Sequence, residues 1–228
     1  MINSYFCNQG LVFTDMAIKA FLFDFDGVIV DTEHYYTEFW AEQGKIYFPE
    51  LKDFALIIKG RSLKTIYDEY FVNMPQAKID IEKALIEQEK SMVYNYIDGV
   101  ENFLSQSKDC VKVALVTSSS QRKMDNVYRE LPEIKSKFDV IVTANDISKS
   151  KPNPECYQKA AERLGLSVEE CIVFEDSIAG VVAGKEAGMK VIGLATTVDK
   201  ETLSQYADKV IENFVGLKPN DILTESFQ

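Results

Sequence analysis

Short apolar runs recur along the chain, each followed by a polar or glycine-bearing turn. They occupy residues 18–24 (IKAFLFD), 111–117 (VKVALVT), 139–143 (DVIVT), Cys171–Glu175 (CIVFE) and Lys190–Leu194 (KVIGL), with a weaker one at Lys209–Ile211. They are rich in branched and aromatic residues and nearly continuous, which predicts strands buried on both faces. Between them the apolar spacing changes to a helical one. Met124, Val127, Tyr128 and Leu131 share one helical face; so do Tyr157, Ala160, Ala161 and Leu164, behind Asn153 and Pro154 as N-cap and N1. A third helix over 177–187 ends at Gly188, a C-cap residue. Strands alternating with helices predict the α/β class: a Rossmann-like parallel sheet with helices on both faces.

One stretch interrupts the alternation. From Thr32 to Ile97 no buried strand is predicted, while 33–43, 62–71 and 76–97 read as helices, the last with Ile81, Leu85, Met92 and Tyr96 on one face. Three crossover helices would account for this, but the stretch is far longer than one crossover needs. The expectation is an α-helical domain over 32–98 inserted into a core made of 16–31 and 99–228, with hinge-like crossings near 31–32 and 98–99. Residues 1–15 read as a weakly ordered extension ahead of Met16, itself a plausible start.

Composition narrows the function. The 228 residues are 46% hydrophobic and 27% charged, as in ordinary globular proteins. With 25 Lys and Arg against 36 Asp and Glu, the formal charge is −11, and no basic cluster stands out. Nucleic acid and anionic membranes are therefore poor partners. No apolar run approaches bilayer length and the N-terminus lacks a signal-peptide pattern, so a soluble, cytoplasmic protein is expected. Cys7, Cys110, Cys156 and Cys171 have no metal-site spacing and read as reduced, mostly buried thiols. A single histidine, His34, argues against His-rich metal sites and a Ser-His-Asp triad.

The candidate chemistry lies at the strand ends. The first run ends in Asp24 and Asp26 before Gly27, and the Cys171–Glu175 run ends in Glu175 followed by Asp176. Turn acids and helix caps could account for each pair alone. Ligands in open parallel sheets bind at the carboxyl ends of strands, however, and four carboxylates on that edge would repel without a cation. Mg²⁺ is the simplest resolution. Thr117, with Ser118 and Ser119, ends another run; these hydroxyls suit a phosphate oxygen as well as a helix cap. Lys151, on a turn stiffened by Pro152 and Pro154, is either a solvated loop lysine or a point charge for phosphate. Lys59 and Arg61, flanking Gly60, suit an anionic or hydroxyl-rich ligand or a solvated turn. Phe39, Trp40 and Phe71 read as core of the inserted segment, and Gly180 and Gly184 as sites of close helix–sheet packing.

Taken together, Asp/Asp, Thr, Lys and Glu/Asp at four successive strand ends resemble the haloacid dehalogenase superfamily, subfamily I, in its phosphatase and β-phosphoglucomutase-like branch. DFDGVIVDTE resembles the first motif, Thr117 the second, Lys151 the third, and Glu175 and Asp176 in FEDSIAGVVAGKEAG the fourth. The resemblance runs from Ala17 to about Val215. It implies that Asp24 is the nucleophile and that Asp26 is the acid and then the base. It implies Mg²⁺ held by Asp24, the Asp26 carbonyl and Asp176, with Glu175 assisting in the first or second shell. Thr117 and Lys151 would bind the phosphoryl oxygens. Residues 32–98 would be a helical cap whose loop at Lys59 and Arg61 drops over the leaving group.

The implied activity is Mg²⁺-dependent hydrolysis of a small phosphorylated metabolite, a sugar or polyol phosphate, by a monomer or weak homodimer. Asp26 favours phosphate esters over C–halogen bonds, because an alkoxide must be protonated and a halide need not be. A β-phosphoglucomutase-like phosphotransferase is the alternative. Tyr36 stands where the mutase pattern has a histidine, which weakens that alternative more than the phosphatase. A non-catalytic binding protein retaining the fold is a further alternative.

Overall fold

The computed structural model describes residues 17–59, 61 and 63–224. The expectations for residues 1–15, Cys7 and Gly60 fall outside them. The chain opens with β1 (Ala20–Phe23), β2 (Val30–Asp31) and helices α1 (Glu33–Tyr47), α2 (Phe54–Ile57), α3 (Leu63–Tyr70) and α4 (Pro75–Ser91). It returns through β3 (Asn95–Tyr96) to α5 (Val100–Ser107), β4 (Lys112–Val116), α6 (Gln121–Glu130), β5 (Val140–Val142) and α7 (Glu155–Leu164). β6 (Cys171–Glu175), α8 (Ile178–Glu186), β7 (Lys190–Leu194), α9 (Lys200–Leu203), β8 (Lys209–Ile211) and α10 (Pro219–Leu223) complete it. Among the described residues no helix is long and apolar enough to cross a membrane.

Six strands form one parallel sheet in the order β5-β4-β1-β6-β7-β8. β1 is central, and alternation along it feeds two cores. Phe21 and Phe23 join Phe103, Phe174 and Phe214 on one face. Ala20 and Leu22 join Val116, Tyr157, Ala160 and Val173 on the other. Burial on both faces explains why these strands read as continuous apolar runs. Because β1 is flanked by β4 and β6, the ends of all three strands share one sheet edge.

The helices between β2 and β3 have an apolar cluster of their own, including Phe39, Trp40, Phe54, Ile66, Phe71 and Ile81. Two features there differ from expectation. Helix α4 stops at Ser91 instead of continuing to Ile97, because Met92 turns extended. The chain then pairs antiparallel with β2, Val30 opposite Tyr96 and Asp31 opposite Asn95, and the Ile97 amide donates to the Ile29 carbonyl at 2.9 Å. The two passages between sheet and insertion are thus hydrogen-bonded side by side. Two-residue strands carry no periodicity, so the sequence pattern missed them. Cys156 and Cys171 are buried, but Cys110 is exposed, in the turn between α5 and β4 just before the strand sinks into the core.

Candidate active site

The β1 and β6 strand ends carry their acids into one cluster. Oxygens of Asp24, Glu175 and Asp176 all lie within 4.8 Å of one another, and all three residues are buried. Lys151 reaches them from the turn before α7. Its Nζ donates to Asp24 Oδ1 at 2.6 Å, to Glu175 Oε1 at 2.6 Å and to the Val116 carbonyl at 3.4 Å. That uses all three ammonium protons and fixes the head group.

Glu175 is fully engaged. Its Oε1 also accepts from the Tyr157 hydroxyl at 3.1 Å. Its Oε2 accepts from the amides of Asp176 and Ser177 at 2.8 and 2.9 Å, and from Ser177 Oγ at 3.0 Å. Room for this carboxylate comes from Gly180, where a Cβ would overlap it. Gly180 thus lets α8 close on the end of β6 as expected, and here the close approach also makes room for the acid cluster; Gly184 packs against Val173 and Val191. At Gly27 a positive φ of 78° and the nearby Asp176 carboxylate both exclude a side chain.

The electrostatics of the cluster are unbalanced. Burial holds Glu175 back from ionising, but Lys151 and the donors of Ser177 outweigh it and lower its carboxyl below the ordinary value. Burial dominates at Asp24 and, despite Lys151, pushes its carboxyl up to about 7. Asp176 is driven well above the ordinary range by burial and by the neighbouring Glu175 and Asp24. Burial works against the Lys151 charge, yet Asp24 and Glu175 carry its ammonium well above the usual lysine value. Hard carboxylate oxygens lacking enough positive charge fit a divalent cation such as Mg²⁺. With Glu175 committed to Lys151, Tyr157 and Ser177, Asp24 and Asp176 are the carboxylates left to offer ligands.

Asp26 points elsewhere. Its Oδ1 accepts from the Thr32 hydroxyl and, at 2.5 Å, from Lys123 Nζ; its Oδ2 accepts from Ser119 Oγ at 3.0 Å. Burial alone would raise its carboxyl; Lys123, Thr32 and Ser119 together hold it below the ordinary value. Lys123 is only 2% exposed and lies 4.7 Å from the centre of the Tyr36 ring, so α6 and α1 meet over Asp26.

These groups line a cavity of about 420 Å³ between the strand ends and the inserted helices. Its size suits a small ligand. Ser118 and Ser119 are on its wall, but Thr117 is not among the lining residues; its Oγ1 accepts the Ser119 amide at 3.0 Å and shapes the loop. Lys59 and Arg61 are on the wall as well. Neither is a free cation: Lys59 lies 3.5 Å from Glu33, and Arg61 pairs with Glu69. Trp40 is both core of the insertion and part of the wall. His34 is exposed, 3.6 Å from Asp31.

No motif marks Lys123, Thr32, Tyr157 or Glu89 as functional; the apolar pattern makes Tyr157 only a core-facing helix residue and Thr32 only the start of the insertion. Lys123 left one trace: it sits on the buried face of α6 with Met124 and Val127, where a lysine needs a partner.

A profile of the haloacid dehalogenase-like hydrolases matches residues 21–194. Glycerol-1-phosphate phosphohydrolase 2 of Saccharomyces cerevisiae is 30% identical over 220 residues, covering 89% of this chain and 85% of that protein. A family IA, variant 3 hydrolase from Entamoeba histolytica superposes with a TM-score of 0.78 at 25% identity, over 90% of this chain and 98% of the other. A β-phosphoglucomutase from Clostridium difficile does so with a TM-score of 0.68 at 28% identity, over 90% and 95%.

Proposed function

Because the chain belongs to the haloacid dehalogenase-like hydrolases, we propose that this phosphatase acts on a small sugar or polyol phosphate, depends on Mg²⁺, and works through an aspartyl-phosphate on Asp24. The observation that carries this reading is the meeting of Asp24, Asp176 and Lys151 at the sheet edge, inside a cavity of metabolite size. The similarity to a glycerol-1-phosphate phosphohydrolase supports the substrate class.

Asp24 attacks phosphorus with the oxygen that Lys151 leaves free; the bond from phosphorus to the ester oxygen breaks. Asp26, once protonated, gives its proton to the departing alkoxide. It then takes a proton from a water whose oxygen bonds to phosphorus; the bond from phosphorus to Asp24 breaks, releasing inorganic phosphate and restoring the Asp24 carboxylate. Its ionised form, favoured here by Lys123, Thr32 and Ser119, is the form that activates water. Lys151 neutralises phosphoryl oxygens, and Ser118 and Ser119 contribute hydroxyls to the same wall; Thr117 holds their loop. Asp24, Asp176 and the Asp26 carbonyl would hold Mg²⁺, which would supply charge to offset the phosphoryl group and these carboxylates. Glu175 positions Lys151. The helical insertion acts as a cap that excludes water, with Lys59 and Arg61 on its loop.

The test is phosphate release from phosphorylated sugars, polyols, nucleotides and acids, with Mg²⁺ or EDTA, using wild type and Asp24→Asn. Release that needs Mg²⁺ and vanishes in the variant is expected. No release from any ester by folded, Mg²⁺-loaded protein would overturn the reading.

A further inference from the structure

One charged group in the cavity has no part in the chemistry above. Glu89, on α4, is 5% exposed and lines the same cavity as Asp24 and Lys151. Its Oε2 is buried and accepts no hydrogen bond among the described residues. The Arg122 guanidinium, from α6, stands 3.5 Å away. That is close enough to balance charge, but it leaves the oxygen without a hydrogen bond. A buried acceptor in this condition gains free energy from any donor that reaches it.

The other cations on the wall are already matched. Lys59 faces Glu33, Arg61 pairs with Glu69, Lys123 with Asp26, and Lys151 with Asp24 and Glu175. Arg122 is followed on α6 by Lys123, the partner of Asp26, so Glu89 lies on the side of the cavity where the leaving oxygen must meet its acid. A leaving group entering there finds an open acceptor and no open cation. With Arg122 already balancing the carboxylate, a neutral hydroxyl fits better than an ammonium group.

We propose that Glu89 is a specificity-determining residue, its Oε2 accepting a hydrogen bond from a hydroxyl of the leaving group, so that the enzyme selects uncharged polyhydroxy phosphomonoesters. The inference rests on the phosphatase reading and adds the class of leaving group. A hydrogen bond to a buried carboxylate is worth about a ten- to hundredfold preference.

The experiment compares kcat/KM for sorbitol 6-phosphate with n-hexyl phosphate, which has similar length and no hydroxyl. Glucosamine 6-phosphate and fructose 1,6-bisphosphate are run alongside. Wild type should favour sorbitol 6-phosphate over hexyl phosphate about ten- to hundredfold. Glu89→Leu should bring that ratio to within about threefold of unity, and Glu89→Gln, which keeps the shape and one acceptor oxygen, should give an intermediate value. Thermal melts of both variants check folding. The same ratio in all three proteins overturns the inference, as does a wild-type preference for the hexyl, amino or bisphosphate ester. Failure of wild type to hydrolyse any ester, p-nitrophenyl phosphate included, removes the phosphatase reading and this inference with it.

Discussion

Without divalent cation, the protein should lose stability as the pH rises from 5 to 8. The cause is Asp24, whose carboxyl is pushed from the ordinary 3.8 to about 7 by burial, against the pull of Lys151. Between those values the folded chain keeps a proton that the unfolded chain has released. Folding stability therefore falls with pH across that window and levels off above about 7. At about 1.4 kcal/mol per pH unit, the full penalty at pH 8 is on the order of 4 kcal/mol. Asp176, raised by burial and by Glu175 and Asp24, adds to it in the same direction. Glu175 and Asp26 do not oppose it, because both are held below their ordinary values and are ionised in both states by about pH 5.

For a chain of this size the Asp24 penalty corresponds to a fall in Tm of about 10 °C. Mg²⁺ must displace the Asp24 proton to bind, so its affinity should weaken about tenfold for each pH unit below 7. The assay is thermal unfolding at pH 5, 6, 7 and 8, in EDTA and in excess Mg²⁺. Tm in EDTA should fall with pH, and the rise on adding Mg²⁺ should be large at pH 8 and small at pH 5. A Tm in EDTA that is flat or rises with pH would refute the reasoning, and so would equal stabilisation by Mg²⁺ at pH 5 and 8.

Lys123→Met keeps an apolar stem against Tyr36 but removes the charge from Asp26; kcat/KM for a polyol phosphate should fall at least about tenfold. p-Nitrophenyl phosphate, whose leaving group needs little protonation, should suffer less, and equal losses on both substrates would argue against a role through Asp26. Gly180→Ala places a methyl group where the Glu175 carboxylate lies, stripping Lys151 of one partner. Urea unfolding should show a loss of about 3–5 kcal/mol, and an unchanged midpoint would sink the account of Gly180. Tyr157→Phe removes one hydrogen bond from Glu175, and the same assay should show a loss of about 1–2 kcal/mol.

The core strands were legible because burial on both faces writes itself into the sequence. IKAFLFD and CIVFE need no tertiary information to read as buried strands, and acids ending such runs are conspicuous. Nothing local, however, says that the two acid pairs meet; that follows from β1 and β6 being sheet neighbours. Lys123 was hidden for the opposite reason. It is an ordinary helix residue until α6 docks beside the end of β1 and gives it Asp26 as partner. Glu89 is likewise one of many acids on a charged helix, and only its burial marks it out. The β2–β3 ribbon escaped because two residues cannot show a period, and the helical spacing of 76–97 ran on through them. Cys110 misled because adjacency to a strand does not decide burial at its mouth.

Charge in the cavity also bears on whether phosphate is released or passed to a second position on the sugar. The wall carries seven carboxylates and five cationic side chains, a net charge of −2 when all are ionised. One Mg²⁺ would bring the wall to neutrality, and on the proposed mechanism Lys151, paired with Asp24, would meet a single phosphoryl group. A bisphosphate would bring a second dianion to the side where Lys59, Arg122 and Lys123 are each within 3.5 Å of a carboxylate. Seating it would mean separating at least one of those pairs in a partly dry cavity, where charge separation is costly. A neutral leaving group asks for no such separation. On the proposed mechanism its departure would open the site to the water that Asp26 activates, and that favours hydrolysis over transfer to a second position.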